Sequence, residues 1–391
     1  MVWQEKSKVD LRQEFVRMAL TGHLSFSELC RRYAISRTTG YKWLERYKDS
    51  GHLGLYDQSR RPLHSPHSGY ERWAPEVIAV RSSHPAWGGR KIHHYLKRKG
   101  HDSVPAPSTI TKYLKHAGLL TPVDAYTTAH DHRFEHTEPN ALLQIDFKGH
   151  FEFAKGRCHT LTLIDDHSRY ALLLKACLDE TCMTVKEALT DVFKCYGIPE
   201  RINADNGNPW GQANAQARYT HLSRWLIDLG VKVSYSRPRH PQTNGKIERF
   251  HRSLKAEVLA SQYFRDIQHI QSALDAWREI YNHERPHEAL DMQVPMERYT
   301  ASYRKYTGII EEYDYSPDYI VVRANRQGKV KHMGRTLFLG GPFAECEIGL
   351  REQPSTGRLL VYYRHQLLGA IHIDEFEKGV HINLYSKSVI G

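Results

Sequence analysis

The sequence has few cysteines and no long apolar run. Its six cysteines are scattered along 391 residues, and no pair has the C-x-x-C spacing typical of a zinc site. No segment approaches the roughly 20 consecutive apolar residues that cross a bilayer, and the opening MVWQEKSKVD has no apolar signal core. We therefore expect an intracellular protein with reduced thiols and no membrane association.

The sequence has fewer acidic residues than basic ones. The chain has 55 Lys and Arg against 44 Asp and Glu, a net charge of +11, and most of the excess lies in residues 1–130. A basic excess in one part of a chain favours a polyanionic partner such as nucleic acid, although a merely soluble basic surface has the same charge. With 40% hydrophobic and 11% aromatic residues, the chain has the composition of folded domains rather than of a disordered protein.

Residues 1–56 have the pattern of a helix-turn-helix domain. VDLRQEFVRMAL places apolar residues at helical spacing, Ser25 or Ser27 can cap a second helix, and Ser36 can cap a third that ends near Gly51. The start of that third helix would enter the major groove, as recognition helices do, unless the domain is a plain three-helix bundle. The side chains offered to DNA are those of Arg37, Thr38, Thr39, Tyr41 and Lys42.

Residues 57–70 are rich in Pro, Ser, His and Gly and predict a basic linker. Within it, Arg60 and Arg61 would either enter a minor groove or belong to an ordinary solvated linker. Residues 71–121 repeat the helical pattern, with Ser108 predicted to cap the last helix and Gly118 to end it. This second helix-turn-helix domain would offer DNA the side chains of Thr109, Thr111, Lys112 and Lys115.

After a loose linker at 122–138, residues 139–262 predict an α/β domain. The order is three strands joined by hairpin turns, then helix, strand, helix, strand and helix. The second of these helices is expected at about 213–229. This order predicts a mixed sheet with helices on both faces, in which the first and fourth strands can be neighbours.

Three acidic residues lie where chemistry is expected in such a sheet. Asp146 is in the first strand, Asp205 ends the fourth, and Glu248 is on the helix after the fifth. Converging carboxylates repel one another unless they share a cation, and hard oxygen ligands suit Mg²⁺ or Mn²⁺. Two such ions can clamp the attacking and leaving oxygens of phosphoryl transfer. Taken singly, Asp205 is better explained as a turn residue and Glu248 as a solvated helix charge, whereas the three acids together favour a shared site.

The helix that carries Glu248 is also basic. Arg252 and Lys255 follow Glu248 by four and seven residues, which places them on one helical face where they would hold phosphates beside a scissile bond. Lys246 and Arg249 complete this set of DNA contacts.

Other polar residues nearby leave alternatives open. Asp165 and Asp166 are alternative metal ligands, although Asp is favoured at such turns for local hydrogen bonds. Asn206 and Asn244 are expected to shape turns, and Gln242 to contact DNA.

The C-terminal part begins with a helical extension at 263–310, in which the amphipathic helix at 265–283 is expected to pack into a core. At 311–391, short strands with the turns RQGK and STGR predict hairpins that form a small β-barrel. The barrel is either a structural cap or a contact with DNA or a second protomer. The basic residues that fit such a contact are Arg323, Arg326, Lys329, Lys331 and Arg335.

The motifs LLQIDFKG, NADNG and SRPRHPQTNGKIERFHRSLK, followed by YNHERPHEAL, closely resemble those of DDE transposases and integrases of the retroviral-integrase superfamily. The resemblance covers roughly residues 139–300 and is closest to the bacterial insertion-sequence type. It implies a multidomain α/β protein with a ribonuclease-H-like catalytic core, preceded by the two helix-turn-helix domains and followed by the small C-terminal β-barrel. The segment between Asp205 and Glu248 is longer than is usual in that family, and we place the surplus in NPWGQANAQARYT.

The same resemblance implies a mechanism and partners. Asp146, Asp205 and Glu248 would be the catalytic residues and the ligands of two Mg²⁺ ions, with Mn²⁺ as a substitute. Water would attack to free a 3′-OH at the element end, and this 3′-OH would then attack target DNA. Double-stranded DNA, both terminal inverted repeats and target, would be bound by a homodimer or larger homo-oligomer in the bacterial cytoplasm, associated with the nucleoid. The alternatives are a non-catalytic DNA-binding regulator and a nuclease of the same fold.

Overall fold

The computed structural model describes residues 6–58, 69–120, 135–211, 218–236, 245–260, 262–372, 374 and 377–385. The chain divides into two compact units, Met1–Ser68 and Gly69–Gly391. Within the described ranges, no helix combines the length and the apolar character needed to pass through a bilayer. Four residues considered above lie outside the described residues: Arg60, Arg61, Gln242 and Asn244.

The described residues of the first unit form three α-helices, as predicted. They are α1 (Lys8–Thr21), α2 (Phe26–Arg32) and α3 (Arg37–Ser50). The hydroxyls of Ser25 and Ser36 accept hydrogen bonds from backbone N–H groups in the first turns of α2 and α3, which confirms these two caps. Gly40 lets α3 pack closely, because a Cβ at this position would lie 2.8 Å from the sulfur of Cys30.

The second unit begins with another helical domain. Its helices are α4 (Tyr70–Ser83), α5 (Gly89–Arg98) and α6 (Pro107–His116). The predicted cap of the last helix is wrong: Ala106 is the N-cap and Ser108 lies inside α6. Pro107 explains the difference, because proline suits the first helical position, where its missing N–H is not needed. Gly118 follows the helix with φ +70°, as expected of a residue that ends it.

A five-stranded mixed sheet forms the centre of the second unit. Its strands are β1 (Leu143–Phe153), β2 (Gly156–Asp165), β3 (Ala171–Cys177), β4 (Arg201–Ala204) and β5 (Lys232–Tyr235). The order is β3-β2-β1-β4-β5. The first three strands pair antiparallel, and β4 and β5 run parallel to β1. The prediction that the first and fourth strands are neighbours is therefore confirmed.

Helices cover both faces of this sheet. They are α7 (Cys182–Tyr196), α8 (His221–Asp228), α9 (Gly245–Leu254) and α10 (Ile267–Glu279). Leu143 and Ile145 of β1 pack in one apolar cluster with α7 and α8, whereas α9 and α10 pack in the cluster on the other face. Because alternate residues of a strand point to opposite faces, Gln144 and Asp146 lie on the face that α9 and α10 cover.

The helical domain of the second unit is attached to the region that follows α10. On α5, Arg90 pairs with Glu288 at 3.6 Å between nitrogen and oxygen, and Arg98 pairs with Glu297. Ile280 packs against the apolar cluster that α4, α5 and α6 share. These contacts join α5 to the region that follows α10.

The C-terminal region differs from the predicted barrel. Its strands are β6 (Ile320–Arg323), β7 (Lys329–His332), β8 (Arg335–Phe338), β9 (Glu347–Gln353), β10 (Arg358–Tyr363), β11 (Gln366–His372) and β12 (His381–Asn383). In the part of the chain that the structure describes, they form two sheets, β11-β10-β9-β6 and β12-β8-β7, rather than a closed barrel. The STGR turn joins the β9–β10 hairpin as predicted. The RQGK turn instead leads from one sheet to the other, because β6 pairs with β9 and β7 with β8.

The ends of the NPWGQANAQARYT segment help to attach these sheets to the core. Trp210 and Tyr219 are only 4% and 3% exposed and share an apolar cluster with Phe343 of the C-terminal region. The rings of Tyr219 and Phe343 meet edge to face, with centroids 5.6 Å apart. The helix expected from residue 213 begins later, at His221, because Thr220 caps it.

Candidate active site

The first two acids lie on neighbouring strands. In the parallel pairing of β1 with β4, Gln144 lies opposite Asn203. Two residues further along each strand, the same register places Asp146 beside Asp205, which directly follows β4. Because adjacent strands are about 4.8 Å apart, this register places the two side chains next to each other at the carboxyl end of β4.

Asp205 begins a hydrogen-bonded turn. One of its carboxylate oxygens accepts from the backbone N–H of Asn206 at 2.7 Å. The side-chain amide of Asn206 donates to the carbonyl of Ser236, just after β5, at 2.6 Å. Asn206 therefore has the turn-forming role predicted for it, and the exposed carboxylate of Asp205 is held at the carboxyl end of β4.

Helix α9 lies against Asp146. His251, one turn after Glu248, places its Nε2 atom 3.1 Å from the hydroxyl of Thr162 and its Nδ1 atom 4.0 Å from a carboxylate oxygen of Asp146. Thr162 is the direct cross-strand partner of Asp146 in the β1–β2 pair. The sequence analysis did not identify His251. The signal that points to it is its i+3 spacing from Glu248, which places both residues on one side of α9.

Burial and neighbouring charges change the pKa values of Asp146 and His251 at this site. Burial, with added repulsion from Asp205, Glu180 and Glu248, raises the pKa of Asp146 to about 7. Burial and the nearby Lys148 lower the pKa of His251 to about 4, so its imidazole is neutral at pH 7. A neutral imidazole cannot balance the charge of an ionised Asp146, and a bound cation would.

The three predicted ligands are not assembled into one cage in this structure. Among the residues that it describes, no group of three or more His, Cys, Asp or Glu side chains is placed to hold a metal ion. Asp146 and Asp205 are adjacent by register, whereas Glu248 is exposed on α9. The role of the three acids as metal ligands therefore stays a prediction.

Asp165 and Asp166, the alternative ligands, have other partners. Asp165 accepts hydrogen bonds from the backbone N–H of Asn140 at 2.8 Å, and from the N–H and hydroxyl of Ser168 at 2.7 and 2.6 Å. Asp166 forms an ion pair of 2.5 Å with Lys246. Both aspartates thus stabilise the turn between β2 and β3 and its surroundings.

The predicted DNA contacts of α9 fall into two groups. Lys246 is largely buried, with 17% of its side chain exposed, and its ammonium is paired with Asp166. The others are exposed and accessible to a phosphate backbone: Arg249, Arg252 and Lys255.

Most of the remaining predicted contacts are exposed. Thr39 is half-buried, and its hydroxyl lies 2.9 Å from that of the cap residue Ser36. Thr109, Lys329 and Arg335 are also half-buried. The exposed residues are Arg37, Thr38, Tyr41, Lys42, Thr111, Lys112, Lys115, Arg323, Arg326 and Lys331. DNA contact by each of these residues stays a prediction.

Comparison with known families identifies the domains. A family described as an integrase core domain matches residues 136–241, and a second family of the same description matches 229–295. Residues 136–295 are therefore similar to integrase core domains. Ahead of this integrase core, a homeodomain-like domain matches residues 39–114 and a helix-turn-helix domain matches 11–62. The integrase core is therefore preceded by domains of DNA-binding type.

Relatives of the integrase core come from insertion elements and viruses. An uncharacterized 31.7 kDa protein of insertion element IS407 from Burkholderia multivorans is 26% identical over 252 residues, which cover 62% of this chain and 87% of the relative. The putative integrase ORF3 of Spiroplasma virus SpV1-C74 is 29% identical over 39% of this chain and 46% of its own length. The HTLV-2 integrase catalytic core domain, solved in complex with magnesium, covers 41% of this chain and 97% of its own, at 16% identity and a TM-score of 0.32.

Proposed function

We propose that the protein is a DNA transposase of the DDE type. It binds the ends of a mobile element, cleaves them by metal-dependent hydrolysis and joins the freed 3′-OH to target DNA. The observation that carries this proposal is the β1–β4 register, which sets Asp146 beside Asp205, with α9 packed against Asp146. An integrase core domain indicates an enzyme of the polynucleotidyl-transferase type, and the relative from an insertion element supports transposition.

The acidic residues near the carboxyl end of β4 suit Mg²⁺, with Mn²⁺ as a substitute. Asp146, Asp205 and Glu248 supply carboxylate oxygens, the ligands that hard divalent cations prefer. Burial, with added repulsion from Asp205 and Glu248, raises the pKa of Asp146, and a bound cation would offset that repulsion. Two bound Mg²⁺ ions would activate the attacking oxygen and neutralise the charge that develops on the phosphate. The HTLV-2 integrase core, solved with magnesium, supports the same choice of metal.

The chain's own residues would have separate tasks in this reaction. The three carboxylates hold the ions, while the exposed Arg249, Arg252 and Lys255 bind phosphates next to the reacting bond. Water and then the DNA 3′-OH serve as nucleophiles, so no covalent protein–DNA intermediate forms. The helix-turn-helix domains recognise the terminal inverted repeats, and a homodimer or larger oligomer brings two element ends together.

The test uses full-length protein, Mg²⁺ and a plasmid that carries the DNA flanking the coding sequence. We expect Asp146→Asn and Glu248→Gln to retain DNA binding and to lose cleavage and joining. Glu187→Gln is the matched control, because Glu187 is exposed on α7, on the opposite face of the sheet. Cleavage at the wild-type rate by either active-site variant would remove that acid from the ligand set.

The products of the same assay separate the alternatives. A non-catalytic regulator would bind the flanking DNA without cutting it, and a nuclease would leave cut ends that are never joined. Joined products that depend on Asp146 support the transposase.

A further inference from the structure

The turn between β2 and β3 holds a buried carboxylate that contacts two separate elements of the proposed site. Asp166 is 1% exposed. Its Oδ1 atom accepts a hydrogen bond from the side-chain amide of Gln144, on β1, at 2.9 Å. Its Oδ2 atom lies 2.5 Å from the ammonium of Lys246, on α9, and accepts from the backbone N–H of His136 at 3.0 Å. One side chain therefore joins the strand to the helix.

The backbone of Asp166 reinforces the same connection. Its N–H donates to the carbonyl of Leu142, just before β1, at 3.0 Å. Its carbonyl accepts a second hydrogen bond from Lys246, at 3.2 Å. The backbone N–H, the backbone carbonyl and both carboxylate oxygens of Asp166 are thus bonded to β1, to α9 or to the chain that leads into β1.

Each side-chain partner is two residues away from a proposed metal ligand. Gln144 precedes Asp146 on the same face of β1, about 6.6 Å along the strand. Lys246 precedes Glu248 on α9, about 3 Å along the helix axis. A shift of β1 or α9 at these contacts would therefore move the acids.

We propose that Asp166 is a positioning residue for the active site. Through Gln144 and Lys246 it sets the separation of β1 and α9, and with it the distance between the carboxylates of Asp146 and Glu248. This proposal rests on the proposed function, because that function makes the two acids metal ligands. Removing one member of a buried ion pair leaves the other charge uncompensated, so the contact cannot be lost without rearrangement.

The contacts also distinguish positioning from direct metal binding by Asp166. Its carboxylate oxygens already accept hydrogen bonds and face Lys246. If Asp166 were a ligand, neutralising Lys246 would release its carboxylate and leave metal binding intact or stronger. If Asp166 positions the acids, neutralising Lys246 weakens metal binding in the same way as Asp166→Asn.

The experiment titrates the metal-free full-length protein with Mn²⁺ alone, measures free Mn²⁺ by electron paramagnetic resonance, and measures cleavage in parallel. Asp166→Asn and Lys246→Met are each expected to weaken Mn²⁺ binding and slow cleavage about 10-fold or more, as loss of outer-shell partners does at metal sites. Lys246→Arg, which keeps the charge, is expected to retain most of the affinity. The matched control is Asp228→Asn, because the carboxylate of Asp228 is also ion-paired, 3.3 Å from Arg364, with 8% of the side chain exposed. This variant should lose stability without losing Mn²⁺ affinity.

The outcomes separate this proposal from the proposed function. Wild-type Mn²⁺ affinity in both Asp166→Asn and Lys246→Met would overturn it, and so would a loss confined to Asp166→Asn. An equal loss in Asp228→Asn would overturn it by assigning the effect to general destabilisation. The proposed function fails independently if Asp146→Asn binds Mn²⁺ as the wild type does.

Discussion

The side-chain carbonyl of Gln366, on β11, accepts a hydrogen bond from the backbone N–H of Val233, on β5, at 3.0 Å. β5 is an edge strand of the five-stranded sheet, and an uncovered edge presents unpaired backbone groups to other chains. The amide nitrogen of Gln366 also lies 3.3 Å from the hydroxyl of Tyr219. Gln366 therefore links the C-terminal sheets to both the edge of the core and the segment between β4 and α8.

Replacing Gln366 should weaken the fold. Gln366→Ala leaves the N–H of Val233 without its acceptor, and we expect the free energy of unfolding to fall by about 1–3 kcal/mol, as measured by urea unfolding. Gln327→Ala is the control, because Gln327 is exposed in the same region, and its unfolding should not change. Equal unfolding curves for the two variants would show that the contact adds nothing to stability.

Trp210 should be important for both stability and cleavage. It is buried in the apolar cluster that also includes residues of the C-terminal region, and its ring lies 6.0 Å from that of Phe147, the neighbour of Asp146. Trp210→Ala is expected to lower the free energy of unfolding by about 3–5 kcal/mol through the cavity it leaves, with slower cleavage. Tyr303→Ala removes an aromatic ring that is 82% exposed and should leave both measurements unchanged. An unchanged melting temperature in Trp210→Ala would contradict a stabilising role for Trp210 in this apolar cluster.

Lys91 should make stability depend on pH. Burial, with the nearby Arg285, lowers the pKa of Lys91 from 10.5 to about 8. The folded state therefore disfavours the charged ammonium. The resulting loss of stability grows as pH falls from about 10.5 to 8 and is constant below that range. Lys91→Met should raise the free energy of unfolding at pH 7 by about 1–3 kcal/mol and flatten its rise between pH 8 and 10.

The control for this variant is Lys97→Met, on the exposed side of the same helix. Urea unfolding at a series of pH values measures both. If Lys91→Met and Lys97→Met give the same pH profile, the ammonium of Lys91 carries no burial penalty.

Lys42 should contribute to DNA affinity through charge. It is exposed near the start of α3, and Lys42→Ala is expected to weaken binding of element-end DNA and to reduce the slope of log affinity against log salt by about 1, the value for one lost phosphate contact. Fluorescence anisotropy at several salt concentrations measures this slope. Lys48→Ala, in the last turn of α3, is the matched control. Equal losses in both variants would mean that DNA does not contact the start of α3 preferentially.

Local features of the fold could be predicted because their causes are local. The caps at Ser25 and Ser36 require only a hydroxyl and an N–H within one turn. The prediction failed where two local signals competed, since Pro107 began α6 and left Ser108 inside it. The RQGK turn was misassigned because the pairing of β6 with β9 depends on residues far along the chain.

In the candidate site, too, some features could be predicted from the sequence and others could not. Asp146 could be recognised within the first strand and Asp205 at the end of the fourth, two strands that the predicted topology makes neighbours. The contacts between Lys246 and Asp166 and between His251 and Thr162 join residues 80 and 89 positions apart. No spacing rule connects such residues, because their proximity arises only when α9 packs on the sheet.

The ion pairs of α5 with Glu288 and Glu297 have a consequence for the length of DNA between the recognised sequence and the cut. Together with the packing of Ile280, they attach the second helical domain, and with it α6, to the region that follows α10. Each base pair adds about 3.4 Å to the length of a duplex. If α6 reads bases as predicted, inserting one base pair into an element end would displace the scissile phosphate from the carboxylates, even though every recognised base is still present.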